Sequence, residues 1–123
     1  NLESVSLILK GARLYSLDYE VFLREFAFSG DLIYLDPPYH PIGQYSDFKR
    51  YTPNQFREND QVTLAAIYDE MINVGAYPIL SNSYSELTLA LYSKHTIHIV
   101  EAARNINHEG DGRGKIREII VTP

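Results

Sequence analysis

The sequence has no cysteine, no apolar run long enough to cross a bilayer and no net positive charge. Without cysteine the chain forms neither disulfides nor thiolate metal sites, which fits a reducing compartment. A membrane span needs about 20 consecutive apolar residues, so we expect no contact with a membrane. Because the net charge is −5, the surface as a whole does not attract phosphate. Strong binding to nucleic acid would therefore depend on a local patch.

What is present is enough apolar material for one folded domain. The chain has 123 residues, of which 45% are hydrophobic, and this excludes a disordered composition. The four histidines show no ligand spacing, so no metal site is predicted. Basic residues cluster between 104 and 117, where four stand against two acidic ones. That cluster is either a solvated loop or a phosphate-binding segment.

Strand and helix patterns alternate along the first half of the chain. Residues 12–17 are typical of a strand, and Asp18 is placed to cap a helix over 19–28. A short apolar strand of the buried kind follows at 32–35. Residues 36–54 show neither the period of a strand nor that of a helix, which predicts a long loop. Such a loop in a compact domain is usually functional or disordered.

The second half continues the alternation and ends in two strands with no helix between them. This order predicts an α/β domain with a mostly parallel sheet and a C-terminal antiparallel hairpin. No repeat or linker divides it, so we expect a single domain over 1–123. The predicted elements are a helix from Gln55 or Glu58 to Asn73, a strand at 77–81, a short helix to Leu91 capped by Ser83 or Ser85, and strands at 96–102 and 116–121.

The apolar residues 32–35 run directly into Asp36-Pro37-Pro38-Tyr39. In open α/β sheets, ligand sites lie beyond the carboxyl ends of the strands. The prolines fix the backbone and donate no N–H, so this turn offers a carboxylate and carbonyls as acceptors. A planar ligand with an amino group would fit those acceptors and the flat face of Tyr39. A plain turn is the alternative, since these residues are common in turns.

The stretch DLIYLDPPY at 31–39 resembles the catalytic motif of Dam-like DNA adenine-N6 methyltransferases. The similarity covers almost the whole chain, in the order found in that family. Its further segments are RLYSLDYEVF at 13–22, an aromatic pair at Phe48 and Tyr51, LSNS at 80–83, and RNINHEGDGRGKIREIIVT at 104–122.

The resemblance implies a partial Rossmann-like methyltransferase sheet and transfer of a methyl group from S-adenosylmethionine to adenine in double-stranded DNA. The Asp36 carboxylate and the Pro37 carbonyl would hold the adenine amine, and the flipped-out base would stack on Tyr39. The implied site residues are Asp36, Pro37, Pro38 and Tyr39 for catalysis; Asp18, Tyr19, Asp36 and Phe48 for the cofactor; and Tyr51, Arg104, Asn107, Arg113 and Lys115 for DNA.

Several of these residues also fit a purely structural role. Asp18 is a helix cap in that reading, Phe48 and Tyr51 pack on the core, and the basic residues form a solvated loop. Ser81 and Asn82 are expected to stabilise the strand end beside the pocket.

Two parts of the family pattern have no counterpart in this sequence: the glycine loop that binds the cofactor, of the Phe-x-Gly-x-Gly type, and the target-recognition domain. The chain is therefore expected to match the C-terminal half of such an enzyme. It would need the N-terminal half or a second copy as its partner, and alone it would bind S-adenosylmethionine weakly and transfer no methyl group. The strand at 12–17 would lack neighbours and be disordered, re-paired or swapped.

Two other functions stay open at this point. Asp-Pro-Pro-Tyr/Phe also occurs in methyltransferases that act on guanine N2 in RNA, although the spacing of Phe48 and Tyr51 and the C-terminal segment favour DNA adenine. A truncated module that binds DNA or protein without catalysis is supported by the missing cofactor loop and opposed by the presence of Asp36 and Tyr39. We expect a cytoplasmic protein of bacterial, archaeal or phage origin. The DNA target and any restriction role are not indicated.

Overall fold

Helices and strands alternate in the computed structural model, which describes residues 2–42, 56–103 and 115–123. The predicted elements after residue 18 are confirmed, with ends that differ by a few residues. In chain order they are α1 (Leu2–Leu9), α2 (Tyr19–Phe26), β1 (Leu32–Leu35), α3 (Glu58–Asn73), β2 (Tyr77–Ser83), α4 (Glu86–Leu91), β3 (Thr96–Ala103) and β4 (Lys115–Thr122).

The four strands form one mixed sheet in the order β1-β2-β4-β3. β1 and β2 are parallel, with Leu32 opposite Tyr77 and Leu35 opposite Leu80. β4 is antiparallel to both β2 and β3. The predicted α/β class and the C-terminal antiparallel hairpin are confirmed. Among the described strands only the β1–β2 pairing is parallel, because the hairpin places β4 between β2 and β3.

The strand predicted at 12–17 is wrong. These residues are not part of the sheet, and Leu14 is 92% exposed. Tyr15 instead packs against α2, with its ring centroid 5.3 Å from that of Phe22 and 5.1 Å from that of Phe26. A strand needs a hydrogen-bonded neighbour, and none of the described strands pairs with this segment. The helix α1 before it was not predicted.

One side of α3 forms the centre of the core. Leu64, Ile67, Tyr68 and Met71 are buried there. The Tyr68 hydroxyl donates a hydrogen bond of 2.9 Å to the Pro78 carbonyl. The helix is thereby fixed against β2, as the buried hydroxyl is satisfied by the strand it packs on.

Glycine turns bring the two parallel strands into the sheet side by side. Gly75 follows α3 with a φ of 87°, and Gly30 precedes β1 with a φ of 89°, both in the region that favours glycine. The Gly30 N–H donates to the Gly75 carbonyl at 2.9 Å. Since β1 and β2 start together and run in parallel, their carboxyl ends lie at the same edge of the sheet.

Candidate active site

Asp36 leaves the end of β1 next to Ser81 of β2. The buried Ser81 hydroxyl donates a hydrogen bond of 2.8 Å to Asp36 Oδ1 and receives one of 3.1 Å from the Tyr34 hydroxyl. A serine hydroxyl has one proton, so its shorter contact with Asp36 takes precedence over the 3.4 Å contact with the Leu35 carbonyl. Among the described residues no donor contacts Asp36 Oδ2. One oxygen is therefore fixed, and the other can accept a hydrogen bond from a ligand.

Tyr39 lies partly buried beside this carboxylate. Burial raises the pKa of the Tyr39 hydroxyl, and the negative charges of Glu118 and Asp36 raise it further, although the Ser81 hydroxyl acts in the opposite direction. The side chain is thus neutral at physiological pH. A neutral ring next to two acceptors suits the stacking of a planar base.

The loop after Asp36 is anchored at backbone atoms. Gln61 Nε2 donates to the Pro38 carbonyl at 3.0 Å, and the His40 N–H donates to Asn82 Oδ1 at 3.0 Å. The Ser83 hydroxyl donates to the His40 carbonyl at 2.6 Å. These bonds tie the segment to α3 on one side and to β2 on the other.

A cavity of about 300 Å³ opens beside the loop, between α2, α3 and the end of β1. Tyr19 lines it, and its ring centroid lies 5.5 Å from that of Phe56. Burial, followed by the charges of nearby carboxylates, raises the pKa of Tyr19 to about 12. The cavity wall is mostly apolar. Its lining is formed by Tyr19, Leu23, Tyr34, Leu35, Asp36, Pro37, Pro38, Phe56 and Leu64.

Asp18 caps α2, as its position in the sequence predicted. Its Oδ1 accepts hydrogen bonds from the backbone N–H groups of Glu20 at 2.9 Å and Val21 at 3.4 Å. Unlike Tyr19, it is not part of the cavity wall. The structure therefore brings Tyr19, Asp36, Pro37 and Pro38 together and places Asp18 at their margin.

The other predicted site residues lie largely outside the described part of the chain. Lys115 is described only by its backbone, at the start of β4. The proposed roles of all these residues stay predictions. The residues outside are Phe48, Tyr51, Arg104, Asn107 and Arg113.

Two polar residues beside the loop were missed in the sequence. Gln61 lies on α3, three residues before the apolar Leu64 and on the same side of the helix. A polar residue at such a position in the sequence could have indicated a buried polar contact. His40 follows the Asp36–Tyr39 motif directly. Its ring contacts Ser85 Oγ through Nδ1 at 3.0 Å and Glu58 Oε1 through Nε2 at 3.6 Å.

The described residues offer neither a metal-binding cluster nor a membrane-spanning helix. Over 2–42, 56–103 and 115–123 no group of three or more histidine, cysteine or acidic side chains could hold a metal ion. No helix in those ranges is long and apolar enough to cross a membrane.

The Asp36 carboxylate and the Pro37 carbonyl follow a parallel strand of an α/β sheet, beside an apolar cavity. Such groups can accept hydrogen bonds from a planar amine. Residues 1–106 match the family model of the D12 class N6 adenine-specific DNA methyltransferases. The chain belongs to this family, which confirms the resemblance seen in the sequence.

Relatives of known name support the same assignment. The chain is 40% identical over 123 residues to the type II methyltransferase M1.LlaDCHI of Lactococcus lactis subsp. cremoris, covering 98% of this chain and 43% of that protein. It is 38% identical over 114 residues to the type II methyltransferase M.MjaIII of Methanocaldococcus jannaschii, covering 92% of this chain and 39% of that protein. Identity to the DNA adenine methylase of Escherichia coli K12 is 30% over 90 residues, which is 73% of this chain and 32% of that protein. The chain thus spans less than half the length of these bacterial and archaeal relatives.

Proposed function

We propose that this chain is the catalytic part of a DNA adenine-N6 methyltransferase that uses S-adenosylmethionine. The observation that carries the proposal is the Asp36 carboxylate. One of its oxygens is fixed by Ser81 at 2.8 Å, no described donor contacts the other, and both Asp36 and Pro37 line the cavity. The family and the names of the relatives support this reaction.

The proposed role of the loop is to prepare the adenine amine for attack. The lone pair of that amine is conjugated into the ring and is a poor nucleophile. Hydrogen bonds from its two N–H groups to the Asp36 carboxylate and the Pro37 carbonyl favour a tetrahedral nitrogen with a free lone pair. S-adenosylmethionine supplies an electrophilic methyl group. Asp36 and Pro37 thus act by positioning and electrostatic preorganisation, and the proton leaves after the nitrogen has become positively charged.

The cavity is the proposed place for part of the methyl donor. Its volume of about 300 Å³ and its mostly apolar wall suit an aromatic base held against Tyr19 and Phe56. Asp18, Asp36 and Phe48 are the other proposed contacts to this donor.

DNA would present its adenine outside the double helix, because the amine is not accessible in a stacked base pair. Tyr39 offers the face for that base. Since the net charge of the chain is −5, phosphate contacts would come from local residues. Those proposed are Arg104, Asn107, Arg113 and Lys115, while Tyr51 is proposed to contact the DNA at the flipped base.

An uncovered apolar surface supports the need for a further part of the enzyme. Leu32 is 72% exposed, Tyr34 62% and Tyr77 50%. Leu32 and Tyr34 alternate along β1, and Leu32 is opposite Tyr77 in the parallel register, so all three lie on one face of the sheet. Exposed apolar surface of this kind marks an interface. We propose that the N-terminal half of a longer enzyme, or a second copy, covers it and completes the cofactor site.

The isolated chain of 123 residues is accordingly expected to bind S-adenosylmethionine weakly and to transfer no methyl group. Isothermal titration calorimetry would measure that affinity. A low-micromolar dissociation constant would overturn the need for a second part. The bacterial and archaeal relatives favour a cytoplasmic enzyme.

The experiment that tests the function uses the full-length protein that contains this chain. Methyl-tritiated S-adenosylmethionine is incubated with duplex DNA or with RNA, and modified nucleosides are identified by mass spectrometry. We expect N6-methyladenine in DNA, and a loss on the order of 1,000-fold in kcat for Asp36→Ala, because the amine loses a charged acceptor. N2-methylguanine in RNA would show the wrong substrate, and no product from either polymer would favour a module without catalysis.

A further inference from the structure

Two buried side-chain amides join α3 and β2 behind the catalytic loop. Asn82 Nδ2 donates to Gln61 Oε1 at 2.9 Å, and Gln61 Nε2 donates to the Pro38 carbonyl at 3.0 Å. At its other end, Asn82 Oδ1 accepts from the His40 N–H at 3.0 Å. We propose that Gln61 is a positioning residue for methyl transfer, which it serves by holding the Pro38 carbonyl. The inference rests on the proposed function of the loop.

The backbone fixes the direction of every bond in this chain of amides. The His40 N–H is a donor, so it must face Asn82 Oδ1, and this turns Nδ2 toward Gln61. Gln61 must then receive with Oε1 and donate with Nε2. Its partner is the Pro38 carbonyl, which can only accept. Neither amide can rotate without placing two donors or two acceptors against each other.

Because both amides are buried, each of their hydrogen bonds must be satisfied within the protein. Gln61 is 1% exposed and Asn82 0%, so water does not replace a lost partner. An unpaired polar group in such a place is unfavourable, and the surrounding structure moves to avoid it. Of the two groups that Gln61 contacts, Asn82 lies on β2 and the Pro38 carbonyl belongs to a loop, so we expect the loop to move.

The Pro38 carbonyl lies one residue beyond the carbonyl proposed to accept the adenine amine. Pro37 and Pro38 have restricted backbones, so a displacement at Pro38 is transmitted to Pro37 and Asp36. Asp36 has its own anchor in Ser81, whereas no described donor contacts the Pro37 carbonyl. Gln61 therefore controls the spacing between the two acceptors.

Gln61→Glu tests this role, because it keeps the shape and removes only the donor. At pH 8 the carboxylate would face the Pro38 carbonyl, acceptor against acceptor. We expect kcat of the full-length protein to fall about 30-fold, since small displacements of reacting groups have effects of this size. The KM for DNA should change little, because the lost interaction acts on the transition state.

Lowering the pH should restore this variant. A buried carboxyl group has a raised pKa, and once protonated it can donate to the Pro38 carbonyl as the amide does. The ratio of variant to wild-type kcat is expected to rise about fivefold between pH 8 and pH 6. Asn59→Asp, a matched change at an exposed position on the same helix, should show neither the loss nor the recovery.

Three results would overturn the inference. Wild-type kcat in Gln61→Glu at both pH values would exclude the role while the function stands, provided that Asp36→Ala is inactive. A loss that does not recover at pH 6 would indicate a structural role alone. Wild-type protein that does not methylate adenine would remove the proposed function and this inference with it.

A second variant, Gln61→Met, tests the same role in case Gln61→Glu folds poorly at pH 8. Gln61→Met keeps the length of the side chain and removes the donor at every pH. Its kcat is expected to fall by a similar factor, with no recovery at pH 6. Unchanged kcat in Gln61→Met would contradict the role, and thermal unfolding of each variant would show that the protein assayed is folded.

Discussion

Asp36 and Asp69 are both aspartates held by hydrogen bonds, and their partners differ in kind. Among the described residues, the donor to Asp36 is neutral, the Ser81 hydroxyl at 2.8 Å. Asp69, on α3, has two cationic or ionisable donors: Lys94 Nζ lies 2.5 Å from Oδ2 and His95 Nε2 lies 2.9 Å from Oδ1. Described residues thus contact one oxygen of the Asp36 carboxylate and both oxygens of the Asp69 carboxylate.

The pKa of Asp69 shows where its charge goes. Burial alone would raise this pKa, but the hydrogen bonds from Lys94 and His95 outweigh burial and lower it. The Asp69 carboxylate thus links α3 to the segment before β3 through Lys94 and His95. Asp36 instead keeps an oxygen free at the wall of a cavity. A carboxylate with an unpaired oxygen beside an apolar cavity is therefore the better candidate for ligand chemistry.

The largest difference in kcat is expected between the variants Asp36→Asn and Asp69→Asn of the full-length protein. Asp36→Asn should reduce kcat on the order of 1,000-fold, because an amide accepts the adenine amine without charge. Asp69→Asn should leave kcat within about twofold, since it lies away from the reacting groups. Methyl transfer to duplex DNA measures both. Equal losses in the two variants would break the distinction.

A smaller effect is expected from the donor that orients Asp36. Ser81→Ala removes the bond to Oδ1 and leaves the carboxylate free to rotate, so kcat should fall about 10-fold. Ser93→Ala is the matched control, since the Ser93 hydroxyl is exposed and bonds only the Ala90 carbonyl at 2.9 Å among the described residues. A Ser81→Ala enzyme as active as this control would show that Asp36 is oriented by other means.

How well each element was predicted depends on how local its causes are. β1 and the start of the loop after it, up to residue 42, were predicted because a short apolar run and two prolines restrict the backbone through their own chemistry. The segment at 12–17 has the local pattern of a strand, but a strand forms only where a neighbouring strand pairs with it, and no described strand does so. The segment packs on Phe22 and Phe26 instead.

The same distinction applies to the site. Asp36 and Tyr39 belong to one short motif, so their side-chain types alone led us to predict an acceptor and a stacking face, and these roles stay predictions. Gln61 and Asn82 stand 21 residues apart and meet only through the packing of α3 on β2. Periodicity places Gln61 on the buried side of a helix, but it does not identify the carbonyl that Gln61 contacts.

The structural role of Asp69 predicts a pH-dependent loss of stability. Asp69→Asn should lower the free energy of unfolding by about 1–2 kcal/mol at pH 7, the range for hydrogen bonds to charged groups. The lowered pKa means that this contribution is present above the ordinary value of 3.8 and disappears as the pH falls through the folded-state value. The difference between wild type and variant should therefore close below about pH 4.

Urea denaturation of the full-length protein at several pH values would measure this difference. Lys10→Gln, which neutralises an exposed lysine in the turn after α1, controls for a general effect of charge. A gap between wild type and Asp69→Asn that stays constant down to pH 3 would contradict the assignment of Asp69 as a charged partner.

Asp18 lies between the two cases and carries the smallest expected effect on stability. Its Oδ1 caps α2, while no described donor contacts Oδ2. Asparagine caps as well as aspartate, so Asp18→Asn should change the free energy of unfolding by a few tenths of a kcal/mol and Asp18→Ala by about 1 kcal/mol. If the free oxygen also binds the methyl donor, Asp18→Asn should raise the KM for S-adenosylmethionine about fivefold at unchanged stability. A KM that changes only in Asp18→Ala, together with stability, would place Asp18 with Asp69 as a residue of structure.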